Sequence, residues 1–549
     1  MLFLTIINFF IIFAVFGYSY IFKNLLFGKK NNNISNLDFL YGLIFLYFLS
    51  LIFHIFIPLK QISIIIILIG LIASILSIFN KKLKISFFKY FFIVLAFSII
   101  AYYGVNNVDS PLYHLQIVKW LTENKLSFGL SNLAVRLGVN YPWYSIIGIL
   151  NFDYSFFSNK YYLSLIIFSF IFYEIINQKK NNYSLIFLSL SFSYLFFFSL
   201  IHPFNYGVIL NHFGNPEKDI YNMLIFFTTI YLFLKINEKE INNNFKSIDT
   251  NLINIFLIST TLLLMQMPIY GIIVLLFFYI FYKFIKLKDY NFIFIFLISI
   301  GILWILKSIS LSGCLFFPLS FTCLNTDWTI EASTIKFFAD ETKRYCRSLP
   351  SLEFVNDYHI TIETFKWIKP WFKNYYLTTA MHQINSVIFI ISFIVIIYLL
   401  IIKKFIISNS YKILILSVLS VNLTCLIVIP EIRYFWGPHI SLSCLLIVVL
   451  IKMLNIRFFE NKNFFIFSPI ILLILFIFVK VLPKSEYGDV LKLPNRYHDF
   501  SNKVKIGSFN GYDVYSNNWK CADIREICVN IPKKKYNFKN INSYLFVNR

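Results

Sequence analysis

The chain has 549 residues, of which 58% are hydrophobic and only 14% charged, with a net charge of +23 and a mean hydropathy of +0.71. A soluble fold of this length could not bury so much apolar surface in one aqueous core, so the lipid bilayer is expected to surround the chain. The positive charge needs no nucleic-acid partner, because basic residues collect in the cytoplasmic loops of membrane proteins and meet anionic lipid head groups.

Apolar runs long enough to cross a bilayer recur along the chain. A transmembrane helix needs about 20 mostly apolar residues, because the hydrocarbon layer is about 30 Å thick. The sequence therefore predicts an all-α polytopic membrane protein with about fourteen transmembrane helices. The predicted spans are residues 1–22, 38–58, 62–79, 88–104, 160–177, 183–201, 220–236, 251–267, 269–286, 291–310, 385–403, 411–430, 437–453 and 464–483. The first span lacks a basic start and a small-residue cleavage site, so we expect it not to be a cleaved signal peptide.

Lysine and arginine residues cluster in or beside every second loop, which predicts the orientation of the spans. The basic loops are assigned to the cytoplasm. Both termini then lie on the extracytoplasmic face, together with loops 104–160, 202–219 and 311–384.

These features divide the chain into five regions. Residues 1–87 form additional N-terminal helices, and residues 88–310 form a helical core that carries the first loop (104–160) and the second loop (202–219). Residues 311–384, the third loop, form a small extracytoplasmic cap, residues 385–483 the C-terminal helices, and residues 484–549 an extracytoplasmic tail.

The first loop begins with a helix start at Asp109, Ser110 and Pro111, where a capping side chain precedes a proline. Apolar residues at helical spacing follow and predict an amphipathic helix lying on the membrane surface. Asp109 is interpreted either as a helix cap or as a carboxylate that accepts a proton or binds a metal ion. His114 on this helix is either a structural or a catalytic histidine.

The second half of the first loop places turn-forming residues around Arg136 and ends near Asn140. Arg136 has no carboxylate close by in the sequence, so its guanidinium could bind a phosphate oxygen. An interfacial arginine that reaches lipid phosphates is the alternative.

The second loop places Glu217 and Asp219 two residues apart, just before an apolar span. Such a pair could share a divalent cation, Mg²⁺ or Mn²⁺, which would neutralise a phosphate leaving group. The same residues would also make an ordinary acidic helix start. His202 and His212 are further candidates in this loop.

Five cysteines lie outside the predicted spans, where an oxidising compartment would let them pair. The first expectation is Cys314 with Cys323 and Cys521 with Cys528, which leaves Cys346 over. A zinc site is the alternative, but the sequence has no CxxC pair to favour it.

Three further features follow in the outer segments. The third loop is expected to contain helices near 334–345 and 360–371. Arg433, in a short loop after the twelfth span, either pairs with Glu431 or contacts a lipid phosphate. The tail alternates polar and apolar residues around Gly507 and Gly511, which predicts a β-hairpin.

The order of these parts resembles the GT-C superfamily of polyprenyl-phosphate-dependent membrane glycosyltransferases, over about residues 88–310. An outward span leads to a long first loop with an early Asp, and two more spans lead to a second loop with an acidic pair. The strings DSPLYHLQIVKW, GLSNLAVRLGVN and SGCLFFPLSFTC, with the tail cysteines, are similar to an uncharacterised family of bacterial multi-pass membrane proteins placed near that superfamily.

The resemblance implies transfer of a hexosyl or pentosyl group from a polyprenyl-phosphate-linked sugar to a lipid, glycan or protein in cell-envelope assembly. By this resemblance, Asp109 corresponds to the catalytic carboxylate of the first loop. Glu217 and Asp219 correspond to the acidic pair of the second loop. The remaining implied site residues are His114 as a catalytic group and Arg136, Asn140, His212 and Arg433 as substrate contacts. The three extra N-terminal spans and the single first-loop Asp depart from the superfamily pattern.

Two other classes compete with this interpretation. An O-antigen polymerase or ligase would also have many spans, but it would rely on arginine rather than on carboxylates. A transporter should carry charges buried at mid-span. Glu174 and Lys307 lie close to span ends, which disfavours transport.

Overall fold

The computed structural model describes most of the chain. The described residues are 2–28, 33–83, 85–103, 113–151, 163–177, 182–201, 218–242, 250–266, 292–348, 355–376, 380–402, 409–454, 462–482, 504–509, 512–516, 527–528, 537–541 and 544–548.

Up to residue 482 the described chain is almost entirely helical. The helices are α1 (Leu2–Phe27), α2 (Phe39–Phe56), α3 (Leu59–Phe79), α4 (Phe87–Tyr103), α5 (Leu115–Glu123), α6 (Leu130–Leu133), α7 (Pro142–Leu150), α8 (Leu163–Asn177), α9 (Tyr183–Ile201), α10 (Lys218–Asn242), α11 (Thr250–Gln266), α12 (Phe292–Ser312), α13 (Ala332–Ser348), α14 (Ile368–Trp371), α15 (Ala380–Ile402), α16 (Asn409–Val428), α17 (Ile432–Leu454) and α18 (Lys462–Phe476). Short 3-10 helices precede α2 (Asn36–Asp38) and follow α6 (Val135–Gly138).

Eight of the described helices are long and apolar enough to cross a membrane, so the chain is a multi-pass membrane protein. These are the segments Leu2–Phe27, Asn36–Phe56, Leu59–Phe79, Tyr183–Ile201, Asp219–Glu238, Phe292–Ser312, Asn409–Val428 and Trp436–Leu454. Shorter apolar helices occupy five more of the predicted spans: Phe87–Tyr103, Leu163–Asn177, Thr250–Met265, Ser386–Tyr398 and Phe467–Val481. The predicted span at 269–286 lies outside the described residues.

Helices α1 and α3 pack unusually close together. An added Cβ on Gly17 would lie 1.7 Å from the backbone oxygen of Gly70, and one on Gly70 would lie 2.6 Å from the backbone oxygen of Ala14. Small residues let membrane helices approach until their backbones touch, which strengthens dispersion contacts where lipid offers no hydrophobic driving force. The two glycines therefore fix the contact between α1 and α3.

Replacing Gly17 with Ala is expected to lower the free energy of unfolding by about 1–3 kcal/mol, because the new methyl group forces the two backbones apart. Gly301→Ala in α12 is the matched control, since a Cβ there would meet nothing within 4 Å. Thermal denaturation of the purified variants measures both effects. Equal melting temperatures for Gly17→Ala and Gly301→Ala would contradict this account of the packing.

Buried polar groups connect the ends of several helices on the side predicted to face the cytoplasm. Lys23 and Asp38 form an ion pair with an Nζ to Oδ2 distance of 3.0 Å, and both side chains are buried. Glu174 accepts hydrogen bonds from Lys235 at 3.0 Å and from Tyr231 at 2.7 Å. Lysines that the sequence assigned to cytoplasmic loops thus also hold neighbouring helices together.

Helix α10 lies at the centre of the described helices and is buried along nearly its whole span. It packs against α9, α11 and α17. In contrast, α3 and α12 each expose a row of large apolar side chains, as helices that face lipid do. The candidate loops are therefore held by a core in which α10 is enclosed and α12 borders the bilayer.

The tail contains the predicted β-hairpin, which is confirmed: β1 (Val504–Phe509) pairs antiparallel with β2 (Tyr512–Ser516). A short strand, β3 (Ile527–Cys528), pairs parallel with β2. A second antiparallel pair joins β4 (Asn537–Ile541) and β5 (Tyr544–Asn548). Cys521 lies outside the described residues, so the expected disulfide with Cys528 stays a prediction.

The third loop differs in part from expectation. The first predicted helix is present as α13, but the predicted helix at 360–371 is wrong, because a π-helical turn (His359–Glu363) and the one-turn α14 (Ile368–Trp371) occupy that stretch. The Thr364 hydroxyl donates to the His359 and Ile360 carbonyls and so ends the first turn. The predicted disulfide between Cys314 and Cys323 is confirmed.

Candidate functional site

The described part of the first loop, residues 113–151, packs inside the helix bundle rather than on its surface. Every residue from Leu115 to Thr122 of α5 is buried, as are all nine residues of α7. The expected position of the α5 helix on the membrane surface is therefore wrong. Its polar side meets protein instead of water, because α7 and α3 pack against it and the His114 ring hydrogen-bonds the Tyr144 hydroxyl.

Helix α7 is too short to cross a bilayer, since nine residues rise only about 14 Å. It begins at Pro142, whose missing N–H costs nothing in the first turn. It packs against α2, α3 and α5, so a short buried helix ends the described part of the first loop.

Helix α12 holds this loop in place through backbone groups. The Asn140 side-chain amide donates to the Trp304 carbonyl, and the Trp304 indole N–H donates to the Asn140 carbonyl, both at 2.8 Å. The Gly129 N–H donates to the Ser310 carbonyl at 2.8 Å. Gly129 has a φ of +70°, a conformation that glycine adopts without strain.

The disulfide-closed turn of the third loop covers the same region. The Asn132 side chain donates to the Trp328 carbonyl at 2.8 Å. The Phe317 ring lies against Gly138, where an added Cβ would come within 3.3 Å of it. The first and third loops therefore pack as one unit on the end of α12.

A cleft lies beneath this unit, between α2, α5, the α6 segment and α12, and we call it the first-loop cleft. The cavity in this cleft has a volume of about 20 Å³, which is room for about one water molecule. Its lining residues are His54, Ile117, Trp120, Leu121, Lys125, Ser127, Leu130, Leu137, Val139, Asn140, Tyr141, Tyr144, Lys307 and Leu311.

The first-loop cleft is cationic. The two lysines Lys125 and Lys307 line it, and none of the described lining residues is an Asp or a Glu. Lys307 is buried, with 6% of its surface exposed. A buried cationic wall of this kind favours an anionic ligand, because burial in a low dielectric strengthens the attraction between opposite charges.

Three predicted site residues lie in or beside this cleft. Asn140 lines it, and His114 contacts the lining residue Tyr144 through its ring Nδ1. Arg136 precedes the lining residue Leu137, and its guanidinium lies 4.9 Å from the centre of the Tyr113 ring. No described carboxylate pairs with Arg136.

Asp219 lies in the first turn of α10 and is 4% exposed. Two residues later, the Tyr221 ring packs against the Trp143 ring of α7, with centroids 5.5 Å apart. The start of α10, where the second loop ends, therefore lies next to α7 of the first loop.

Arg433 lies near the start of α17, one turn before Gly437. At Gly437 the backbone of α17 approaches α10 so closely that an added Cβ would lie 3.2 Å from the Cα of Met223. The chain positions of Arg433 and Asp219 thus fall at neighbouring helix ends, each one turn before this contact.

Asp109, Glu217, His202 and His212 lie outside the described residues, so their predicted roles stay predictions. The same holds for a divalent cation shared by Glu217 and Asp219. Within the described part of the chain, no group of three or more His, Cys, Asp or Glu side chains could hold a metal ion.

Sequence reasoning did not identify Lys307 and His54 as residues of the cleft. Lys307 was visible as a charge in an apolar span, but its position near the span end was used only as an argument against transport. His54 gave no signal, because one histidine at the end of an apolar run is compatible with many roles. Only the packing of α2 against α12 shows that both line one cleft.

Comparison with known proteins places the chain in a family without assigning an activity. Residues 1–440 match the family described as Domain of unknown function (DUF8201), and the chain belongs to that family. The match includes the first-loop cleft and the start of α17. No curated protein and no solved structure matches the chain.

Proposed function

We propose that the protein is a membrane glycosyltransferase of GT-C type that transfers a sugar from a polyprenyl-phosphate-linked donor on the extracytoplasmic face. The observation that carries the proposal is the buried, cationic first-loop cleft beneath the loop that holds Asp109. A lipid-linked phosphate is an anion that must be held near the membrane surface. Cationic side chains there would stabilise it and the charge that develops as it leaves.

In the proposed reaction, Asp109 accepts the proton of an acceptor hydroxyl as that oxygen attacks the anomeric carbon, and the bond from this carbon to the phosphate oxygen breaks. Arg136 is available for the phosphate, because its guanidinium has a ring contact but no described carboxylate partner. Asp219 and Glu217 form the acidic pair of the second loop. They act on the phosphate leaving group either directly or through a divalent cation that they share.

The proposal includes fourteen spans in the bacterial inner membrane, with both termini and all three candidate loops outside. The clustering of basic residues in alternate loops supports this orientation. An impermeant thiol reagent should label a cysteine introduced at Lys336 in intact cells, but one introduced at Lys81 only after permeabilisation. The reverse pattern would place the loops in the cytoplasm and exclude this site for the reaction.

A transfer assay tests the function. Purified full-length protein in lipid nanodiscs is incubated with polyprenyl-phosphate-linked hexoses and pentoses and a lipid extract of the envelope as acceptor. We expect a glycosylated acceptor and free polyprenyl phosphate to appear in equal amounts. Release of phosphate lipid without glycosylated acceptor, or turnover of no donor in the panel, would contradict glycosyl transfer.

An O-antigen polymerase or ligase is the second candidate, and the arginine without a described ion-pair partner favours it. Such an enzyme would depend on Arg136 more than on any carboxylate, and its donor would be a lipid-linked oligosaccharide. Replacing Arg136 with Gln and Asp109 with Asn in the same assay separates the two. Loss in the Arg136 variant alone would favour the polymerase or ligase.

A further inference from the structure

Lys307 is a buried cation with few partners. Its Nζ donates one hydrogen bond, at 2.6 Å, to the Ser145 hydroxyl of α7. An ammonium group has three N–H donors, and a buried charge is costly unless it is paired. None of the ion pairs among the described residues includes Lys307, so a neutral hydroxyl is its described partner. The remaining donors are available to a ligand in the first-loop cleft.

His54 presents an acceptor to the same cleft. Its Nε2 lies 3.1 Å from the Asn124 carbonyl oxygen, which can only accept, so Nε2 carries a hydrogen. In the neutral ring Nδ1 then has a free lone pair. Within the described structure this buried Nδ1 has no hydrogen-bond partner.

Asn140 presents a second acceptor. Its amide N–H donates to the Trp304 carbonyl, and this bond fixes which way the side chain is turned. The Oδ1 atom is buried without a partner among the described residues. Buried polar atoms are nearly always paired in proteins, so two open acceptors beside an underpaired cation suit a ligand that brings both hydrogen-bond donors and a negative charge.

We propose that Lys307, His54 and Asn140 bind the phosphate head of a lipid-linked substrate. This proposal rests on the proposed function and names a site for its donor. Lys307 contacts a phosphate oxygen, and the two acceptors receive hydroxyl hydrogens from the group that the phosphate carries. A phosphate ester that bears hydroxyls is the common ligand class that offers both an anionic oxygen and hydroxyl donors.

The surroundings of Lys307 favour a lipid-linked phosphate over a free one. On the same helix, Ile298, Ile302 and Leu306 are each more than half exposed, as lipid-facing residues are. The helix that carries Lys307 thus also borders the bilayer, and the cleft wall includes apolar residues such as Leu137 and Leu311. The space for one water fits a phosphate oxygen only, so the half-buried side chains at Lys125 and Tyr141 must move to admit the head group.

Binding of farnesyl phosphate to the full-length protein in nanodiscs tests the proposal, with farnesol and inorganic phosphate as comparison probes. We expect Lys307→Met to weaken farnesyl phosphate binding about tenfold or more, the effect of losing a hydrogen bond to a charged group. Lys60→Met is the matched control, because Lys60 is exposed on the same predicted face and does not line the cleft. Its affinity should equal that of the wild-type protein.

Several outcomes would overturn the proposal. Unchanged farnesyl phosphate affinity in Lys307→Met would show that Lys307 does not bind the phosphate. Equal affinities for farnesol and farnesyl phosphate would show that the phosphate is not recognised. Inorganic phosphate binding as tightly as farnesyl phosphate would assign the cleft to free phosphate. If neither farnesyl phosphate nor inorganic phosphate binds measurably, the cleft is not a phosphate site and has room for a water molecule only.

The stability of the ligand-free variant separates binding from a structural role. A binding lysine without an anion should cost stability, so Lys307→Met should melt at or above the temperature of the wild-type protein. A lower melting temperature, or failure to fold, would mean that Lys307 holds α12 to α7 through Ser145. Farnesyl phosphate carries no sugar, so its binding is measured independently of glycosyl transfer. A protein that binds farnesyl phosphate but transfers no sugar in the transfer assay would refute the proposed function and support the phosphate site.

Discussion

Replacing Asp109 with Asn is expected to lower sugar transfer by about 10²- to 10⁴-fold, the usual contribution of a general base. An amide cannot accept the proton of the acceptor hydroxyl. Asn caps a helix about as well as Asp does, so the substitution keeps the alternative role of this residue. The transfer assay with lipid-linked donor measures the effect, and expression and melting temperature should stay at wild-type values.

Two further variants make the result specific. Asp327→Asn changes an exposed carboxylate in the third loop and should retain full transfer. Asp109→Ala removes both the proton acceptor and the cap, so it should lose transfer and also some stability. Full transfer in Asp109→Asn together with lower expression of Asp109→Ala would reduce Asp109 to a helix cap.

Replacing Lys23 with Met is expected to destabilise the protein by about 3 kcal/mol, the lower end of the cost of breaking a buried ion pair. Asp38 is 0% exposed and would keep its charge without a cation. It would retain hydrogen bonds from the Ser35 N–H at 2.6 Å, the Ser35 hydroxyl at 2.9 Å and the Asn251 amide at 3.1 Å. These bonds limit the loss, which thermal or denaturant unfolding in detergent would measure.

A double variant tests whether charge is the cause. Lys23→Met combined with Asp38→Asn removes both charges and keeps one acceptor oxygen for Ser35, while its amide nitrogen replaces the oxygen that faced Asn251, so it should recover part of the lost stability. Lys60→Met, an exposed lysine, should have almost no effect. A double variant no more stable than Lys23→Met alone would contradict the ion-pair explanation.

Much of the helical fold could be predicted because its signal is local. A run of about 20 apolar residues must satisfy its backbone groups within itself in lipid, so composition and length predict a span without reference to other segments. The Cys314 to Cys323 pairing was likewise within reach, because the two residues lie close along the chain. The hairpin from β1 to β2 followed from alternating residues around Gly507 and Gly511.

The first loop could not be predicted in the same way. The sequence of α5 has the polar and apolar pattern of a surface helix, and this pattern says nothing about a short helix such as α7 covering its polar side. His114 and Lys119 are buried because other segments supply their surroundings. Amphipathic spacing identifies the helix, but the partner of each face depends on packing.

The sequence by itself determined that this is a multi-pass helical membrane protein with its polar motifs gathered in a few loops. Hydrophobicity and charge decide these properties segment by segment. The tertiary structure alone decided that Lys307, His54 and Asn140 share one cleft, because they lie on separate segments, α12, α2 and the first loop. Helix packing determines which buried polar groups contact each other and which remain available to a ligand. These contacts join distant segments, so a local sequence pattern cannot predict them.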